Sequence, residues 1–229
     1  RWKSLNGVWS DAFVKAVDPS RAWKDALPFE PAGEIVVPFS PEASLSGVGE
    51  RPPARSVLVE ERAFEVGKHS SDERVILHFE AVDWSCSVWV NGEKVGEHVG
   101  GYLPFSFDVT EQLRTGSNTV RVQVYDPSEK GTQLRGKQRI DRGTMWYTAQ
   151  SGIWQSVWYE VVPKNHIVGL SMDADADAGR LTVRAEVSGG SDPLAVVVNR
   201  SGAAIAAGSG SASGVEIELG NVHLWSPDD

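Results

Sequence analysis

The run DADADAG sets Asp173, Asp175 and Asp177 at alternate positions, the spacing that opens a calcium loop. The continuation does not follow it, because Ala178 stands where such a loop needs glycine and Arg184 where it needs a bidentate glutamate. A solvated acidic hairpin is expected there. His69, His78, His98, His166 and His223 form no pair at metal-ligand spacing, so no metal site is predicted. No serine occupies a G-x-S-x-G elbow. Neighbouring carboxylates such as Glu60 and Glu61 cannot flank one bond, since adjacent strand residues point to opposite faces. The Gly208 segment GSGSASG lacks the Gly-Lys-Ser/Thr ending of a phosphate loop and reads as a flexible connection between strands. Catalytic residues: none are assigned.

Tryptophan offers more. Indole faces stack on the apolar C–H faces of sugars while polar neighbours bind hydroxyls, so Trp84, Trp89, Trp146, Trp154 and Trp158 invite a carbohydrate reading. Trp89, between Val88 and Val90, is better placed in a core. Trp146 lies in GKQRIDRGTMWYTAQSG, which mixes charges, aromatics and glycines as functional loops do.

The elements that must hold these residues are strands. IVVP, VLVEERAFEV, ERVILHFEAV, CSVWVNG, NTVRVQVYD and GIWQSVWYEVV carry β patterning, and Val120, Val122 and Val124 alternate with Arg121 and Gln123. Turn signals at Asn91-Gly92, Gly100-Gly101 and Thr115-Gly116 separate them. No segment sustains a helical period. The expected fold class is all-β: a jelly-roll (galactose-binding-like) β-sandwich over residues 1–163, then a partial immunoglobulin-like β-sandwich over 164–229. Eight of the nine tryptophans precede Pro163. Beyond it IVGLSM, RLTVRAEV, PLAVVVN and VEIELGN read as only four strands, so the second sandwich is expected to be truncated.

The net charge of −9 disfavours nucleic acid, which needs a basic face. No apolar run reaches the roughly 20 residues of a membrane span. Cys86, the single cysteine, reads as a small buried side chain. No signal peptide is read, which points to a cytoplasmic setting.

The series LNGVW, VPFSPEASLSG, VLVEERAFEV, LHFEAVDWSCSVWVNGEKVGEHVGGYLPFSFDVTEQL, GSNTVRVQVYDPS, RGKQ and MWYTAQSGIWQSVWYEVVP resembles the sugar-binding domain of glycoside hydrolase family 2, the β-galactosidases, β-glucuronidases and β-mannosidases. The remainder resembles that family's immunoglobulin-like second domain. The resemblance implies that Asn91-Gly92 turns a hairpin, that Gly100-Gly101-Tyr102 redirects the chain, and that Pro104, Phe105 and Phe107 close the core.

The same resemblance implies that catalysis belongs to two glutamates, about 5–5.5 Å apart, on a downstream (β/α)₈ barrel. Neither glutamate's motif occurs here, so this chain is expected to be non-catalytic and to need no cofactor. Its carbohydrate partner would be met through the barrel, in a parent compatible with homo-oligomerisation. Loops of the first domain would shape the barrel's mouth, which makes Arg135, Gly136, Lys137, Gln138, Trp146 and Tyr147 the candidate substrate-binding residues. A self-sufficient carbohydrate-binding module and a structural spacer stay open as rivals; exposed, coplanar tryptophans would favour the module.

Overall fold

The computed structural model describes residues 2–190, 193–220 and 222–227. It is an all-β protein built as two compact units, Arg1–Val161 and Val162–Asp229. None of its helices is long and apolar enough to cross a membrane.

In the first unit the strands run β1 (Trp2–Ser4), β2 (Gly7–Lys15), β3 (Gly33–Val37), β4 (Ser56–Val66), β5 (Glu73–Phe79), β6 (Val82–Asp83), β7 (Ser85–Val90), β8 (Glu93–Val99), β9 (Phe105–Asp108), β10 (Gly116–Tyr125), β11 (Gln138–Arg139), β12 (Tyr147–Thr148), β13 (Gly152–Ile153) and β14 (Val157–Pro163). A six-stranded sheet, ordered β3-β2-β4-β10-β7-β8, faces a four-stranded one, ordered β1-β14-β5-β9. Alternation fixes what lies between them. Val120, Val122 and Val124 point inward with Cys86, Val88 and Val90 of β7, and meet Val75, Leu77, Phe79 and Tyr159 from the other sheet. Cys86 is fully buried there, and burial pushes its thiol up from its ordinary pKa.

The outer face of the larger sheet is covered as well. A short helix α1 (Pro19–Ala22) and the chain after it lay Trp23, Leu27 and Phe29 over Val57 and Val59. Gln123, fully buried, stitches this cover down: its amide donates to the Trp23 and Asp25 carbonyls at 3.2 and 2.8 Å and accepts from the Leu27 N–H at 2.9 Å. Trp89 lies buried on this outer face with Lys94 over its ring.

Asn91 and Gly92 take φ of 52° and 85° and join β7 to β8 with Val90 opposite Glu93, a two-residue hairpin that needs left-handed backbone at both positions. Phe105 and Phe107 pack against the core, but Pro104 is exposed. The strand geometry explains this: inward positions alternate, and Pro104 precedes β9 on the outward phase.

The second unit contains β15 (His166–Asp175), β16 (Arg180–Ser188), β17 (Leu194–Arg200), β18 (Ala203–Gly210) and β19 (Val215–Glu218). β15-β16-β19 form one antiparallel sheet and β17-β18 a hairpin. β18 is a fifth strand where four were expected, and it takes in Gly208–Gly210 of the segment read as a flexible connection. There the backbone is paired: Val196 opposes Gly208 and Leu194 opposes Gly210. Asp173 and Asp175 lie on β15, and the Ala178 N–H donates to Asp175 Oδ1 at 2.9 Å, so this acidic run closes an exposed hairpin.

Candidate functional site

Toward one end of the first unit the inner face of the large sheet changes from apolar to acidic. On β2 and β4, Asp11 and Glu60 are directly opposed, and both face inward next to Trp9 and Leu58. Both are buried, Glu60 completely, and neither of its carboxyl oxygens has a hydrogen-bond partner among the described residues. Three further carboxyls gather beyond them: Glu42 after β3, Asp83 at the end of β6 and Asp126 just past β10.

Burial is the first cause of their perturbation. It lifts Glu60 to about 8, with Asp11 and Glu42 adding repulsion and the Ile153 backbone offsetting part of the rise. Glu42 rises to about 7 through burial and the Asp126 charge, against hydrogen bonds from Ser151 that favour its ionised form. Those bonds are Ser151 Oγ–H to Oε1 at 2.7 Å and Ser151 N–H to Oε2 at 3.1 Å. Asp83 rises to about 7 through burial and then the charges of Asp126 and Glu42. Asp126 rises to about 6, again through burial, with the Ser128 N–H donating to it at 2.7 Å. Burial thus raises Glu42, Glu60, Asp83 and Asp126 toward neutral pH, and a carboxyl donates a hydrogen bond when protonated and accepts when ionised.

Glycine makes room for this group. A side chain on Gly101 would put Cβ 2.5 Å from Asp83 Oδ1. The same segment is tied by Trp154, whose indole N–H donates to the Gly101 carbonyl at 2.7 Å.

Two cavities open beside the acids, of about 300 and 320 Å³. They share Arg51, Pro52, Pro53 and Ile140; Asp126, Ser128, Lys130 and Ser151 line one, Glu42, Thr148 and Ala149 the other. Acid and base around a concave surface of this size can hold the hydroxyls of a small polar ligand.

The residues singled out in the sequence occupy the loop over this end. β11 and β12 pair in parallel, with Gln138 opposite Tyr147. The Tyr147 N–H donates to the Lys137 carbonyl at 2.9 Å, and Gln138 Oε1 accepts from the Gln150 N–H at 2.7 Å. The Gln138 amide also reaches the Tyr102 hydroxyl at 3.4 Å. Lys137 and Tyr147 are exposed, whereas Trp146 is half-buried beneath the Arg139 guanidinium, 5.0 Å away. Arg135 turns back to the Glu129 carbonyl at 2.8 Å and braces the loop. Gln138 and Tyr147 thus lie on one ribbon with Lys137 and Trp146 directly before its strands, and none of the six lines either cavity. Glu42, Asp83 and Asp126 were not read from the sequence. The signal available was position: Asp83 ends a strand, Asp126 directly follows one, and Glu42 lies in the loop after β3.

Two antiparallel sheets facing each other in this way make a jelly-roll sandwich, an architecture that hosts many functions. Residues 2–163 match the family model described as glycosyl hydrolases family 2, sugar binding domain, and the chain belongs to that family. It is 35% identical over 149 residues to a β-galactosidase of Thermoanaerobacter pseudethanolicus, a match covering 61% of this chain and 19% of that protein. With the β-galactosidase large subunit of Leuconostoc lactis it shares 27% over 175 residues, 72% of this chain and 26% of the other. Among solved structures, the β-glucuronidase of an uncultured Clostridium sp. superposes with a TM-score of 0.75 at 21% identity, over 99% of this chain and 40% of that one. The Faecalibacterium prausnitzii β-glucuronidase does so at 0.72 and 21%, over 99% and 42%. The chain therefore spans about a fifth to a quarter of these two curated relatives and about two fifths of the solved ones.

Proposed function

We propose that this chain is the non-catalytic N-terminal portion of a retaining family 2 β-glycosidase acting on β-galactosides or related glycosides. In that reading residues 1–163 are the sugar-binding domain and 164–229 the immunoglobulin-like one, and the loop end of the first forms a wall of a pocket completed by a (β/α)₈ barrel. The observation that carries it is the match of residues 2–163 to the family's sugar binding domain, at whose loop end Asp126 and Glu42 line two cavities.

Around that wall the β11–β12 ribbon supplies Lys137, Gln138 and Tyr147 to sugar hydroxyls, Trp146 supports the ribbon, and Arg135 holds the loop's shape. Carbohydrate is the partner; nucleic acid is disfavoured by the net charge of −9. A cytoplasmic, homo-oligomeric parent completes the proposal.

The chain alone is expected to turn over no aryl β-galactoside, β-glucuronide or β-mannoside. Turnover that survives repurification and tracks with the chain would refute its non-catalytic role. In the longer, barrel-bearing protein, Asp126→Asn and Tyr147→Ala should raise KM; unchanged kinetics in both would remove the loop end from the pocket.

A further inference from the structure

The tryptophans of the first unit divide sharply. Trp9, Trp23 and Trp89 are buried, and Trp154 is tied to the Gly101 carbonyl. On the outer face of the four-stranded sheet, however, Trp2 is 67% exposed on the edge strand β1, and Trp158 is half-buried on the neighbouring β14. Their ring centroids lie 6.5 Å apart with planes 79° to each other, so the two indoles form a corner.

The corner is built. Trp158 stacks on His78 at 3.9 Å and 7°, and its indole N–H donates to Glu80 Oε1 at 2.8 Å, which fixes the ring. Glu160 Oε1 is 3.1 Å from His78 Nε2. Asn6 donates to Ser156 Oγ at 3.0 Å and accepts from the Val157 N–H at 3.0 Å. Ser4, Asn6, Ser156 and Glu160 rim a groove of about 490 Å³ floored by the two indoles. That volume lies within the usual range of small-molecule sites, roughly 300–1,000 Å³. No residue of the 126–151 loop lines it.

Its chemistry selects a ligand. Aromatic faces at a right angle can cover one C–H face and one edge of a pyranose ring, while the hydroxyl and amide rim exchanges hydrogen bonds with ring hydroxyls. Charge narrows the choice further. Among the lining residues Glu160 is the ionisable one, and Glu80 stands behind Trp158. His78 faces Glu160, and burial, opposed by Glu160 and Glu80, holds it below its ordinary range. Carboxylates accept bonds from neutral hydroxyls and repel an anionic sugar.

We propose that this groove is a carbohydrate-binding site, separate from the loop end, that takes a neutral pyranose unit of an oligosaccharide. It would hold the glycan beside the enzyme without taking part in bond cleavage. Millimolar affinity is expected of so open a groove.

The test is a titration of the ¹⁵N-labelled chain with lactose, cellobiose and glucuronate, following the indole N–H signals. Lactose or cellobiose should shift Trp2 and Trp158 and leave Trp146 in place, whereas glucuronate should shift none. Trp2→Ala, an exposed edge substitution, should weaken the neutral sugar about tenfold or more, and Trp146→Ala should not. Three results would overturn the proposal: no response of Trp2 or Trp158 to either neutral disaccharide up to its solubility, a response unaffected by Trp2→Ala, or glucuronate binding as tightly as lactose.

Discussion

Both units are built of hydrogen-bonded strands, but they differ in depth. In the first, Val75, Leu77, Phe79, Val88, Val90, Val120, Val122 and Ile153 are all wholly shielded between two sheets. In the second, the buried cluster is Val183, Leu194, Val215 and Ile217, none below 3% exposed, while Leu170 and Met172 on the same sheet are 57% and 69% exposed. Strand content therefore says little about stability. What counts is whether a second layer covers the apolar face of the first, and small units bury a lower fraction of their surface.

Hydrogen exchange would probe that contrast most strongly. Amides of 181–187 and 194–198 should exchange orders of magnitude faster than those of 118–124, because local opening of the second unit breaks few buried contacts. Equal, slow exchange in a dilute monomer would show that the thinner unit is as well held as the thicker one.

Mutation should reproduce the difference in smaller steps. Trp9→Ala empties a buried indole site, also losing the 2.8 Å bond from its N–H to the Leu5 carbonyl, and should cost about 3–5 kcal/mol. Ile217→Ala, in a cluster with room to collapse, should fall near the low end of the range for such truncations, about 2 kcal/mol. Denaturant melts read by far-ultraviolet circular dichroism, which follows the strands of both units, would rank the two, and a larger loss at Ile217 would reverse the comparison.

A subtler difference is electrostatic. Glu60, Glu42, Asp83 and Asp126 are raised by burial to about 8, 7, 7 and 6, so the folded first unit keeps protons that the unfolded chain has released. Their contribution is complete below about pH 4 and is lost as pH rises through roughly 6 to 8. His78, held below its ordinary range, works in the opposite sense. The melting temperature of the first unit should thus decline from about pH 5 to about pH 8.5. Glu60→Gln should flatten that slope and raise the value at the alkaline end; an unchanged slope would show that the buried acid is neutralised in some other way.

Much of the larger sheet was legible because its chemistry is periodic. β10 alternates valine with polar residues, and Asn91-Gly92 has the residues a two-residue turn requires. β2 was not read, since GVWSDAFVK puts Asp11 on the inward face where an apolar residue is expected. β8, EKVGEHV, is a mostly polar edge with little to signal a strand, and β18, AAIAAGSG, has a single β-branched residue. GIWQSVWYEVV looked continuous but divides into β13 and β14. At the candidate site composition pointed to the loop around Trp146, and the family resemblance supplied its other residues. The acids escaped because Asp11, Glu42, Glu60, Asp83 and Asp126 come from separate segments, and only strand register brings Asp11 opposite Glu60. Trp158 was noticed; Trp2 became its companion only when β1 paired with β14.

The position of Cys86 gives the molecule a built-in clock. It is the single thiol, it lies wholly inside the first unit, and the second unit has none. A thiol reagent can reach it only when the two sheets part, and the thiolate that reacts is itself suppressed by burial. Alkylation kinetics of the unmodified chain consequently time the opening of one sandwich alone, with no label introduced and no signal from its neighbour.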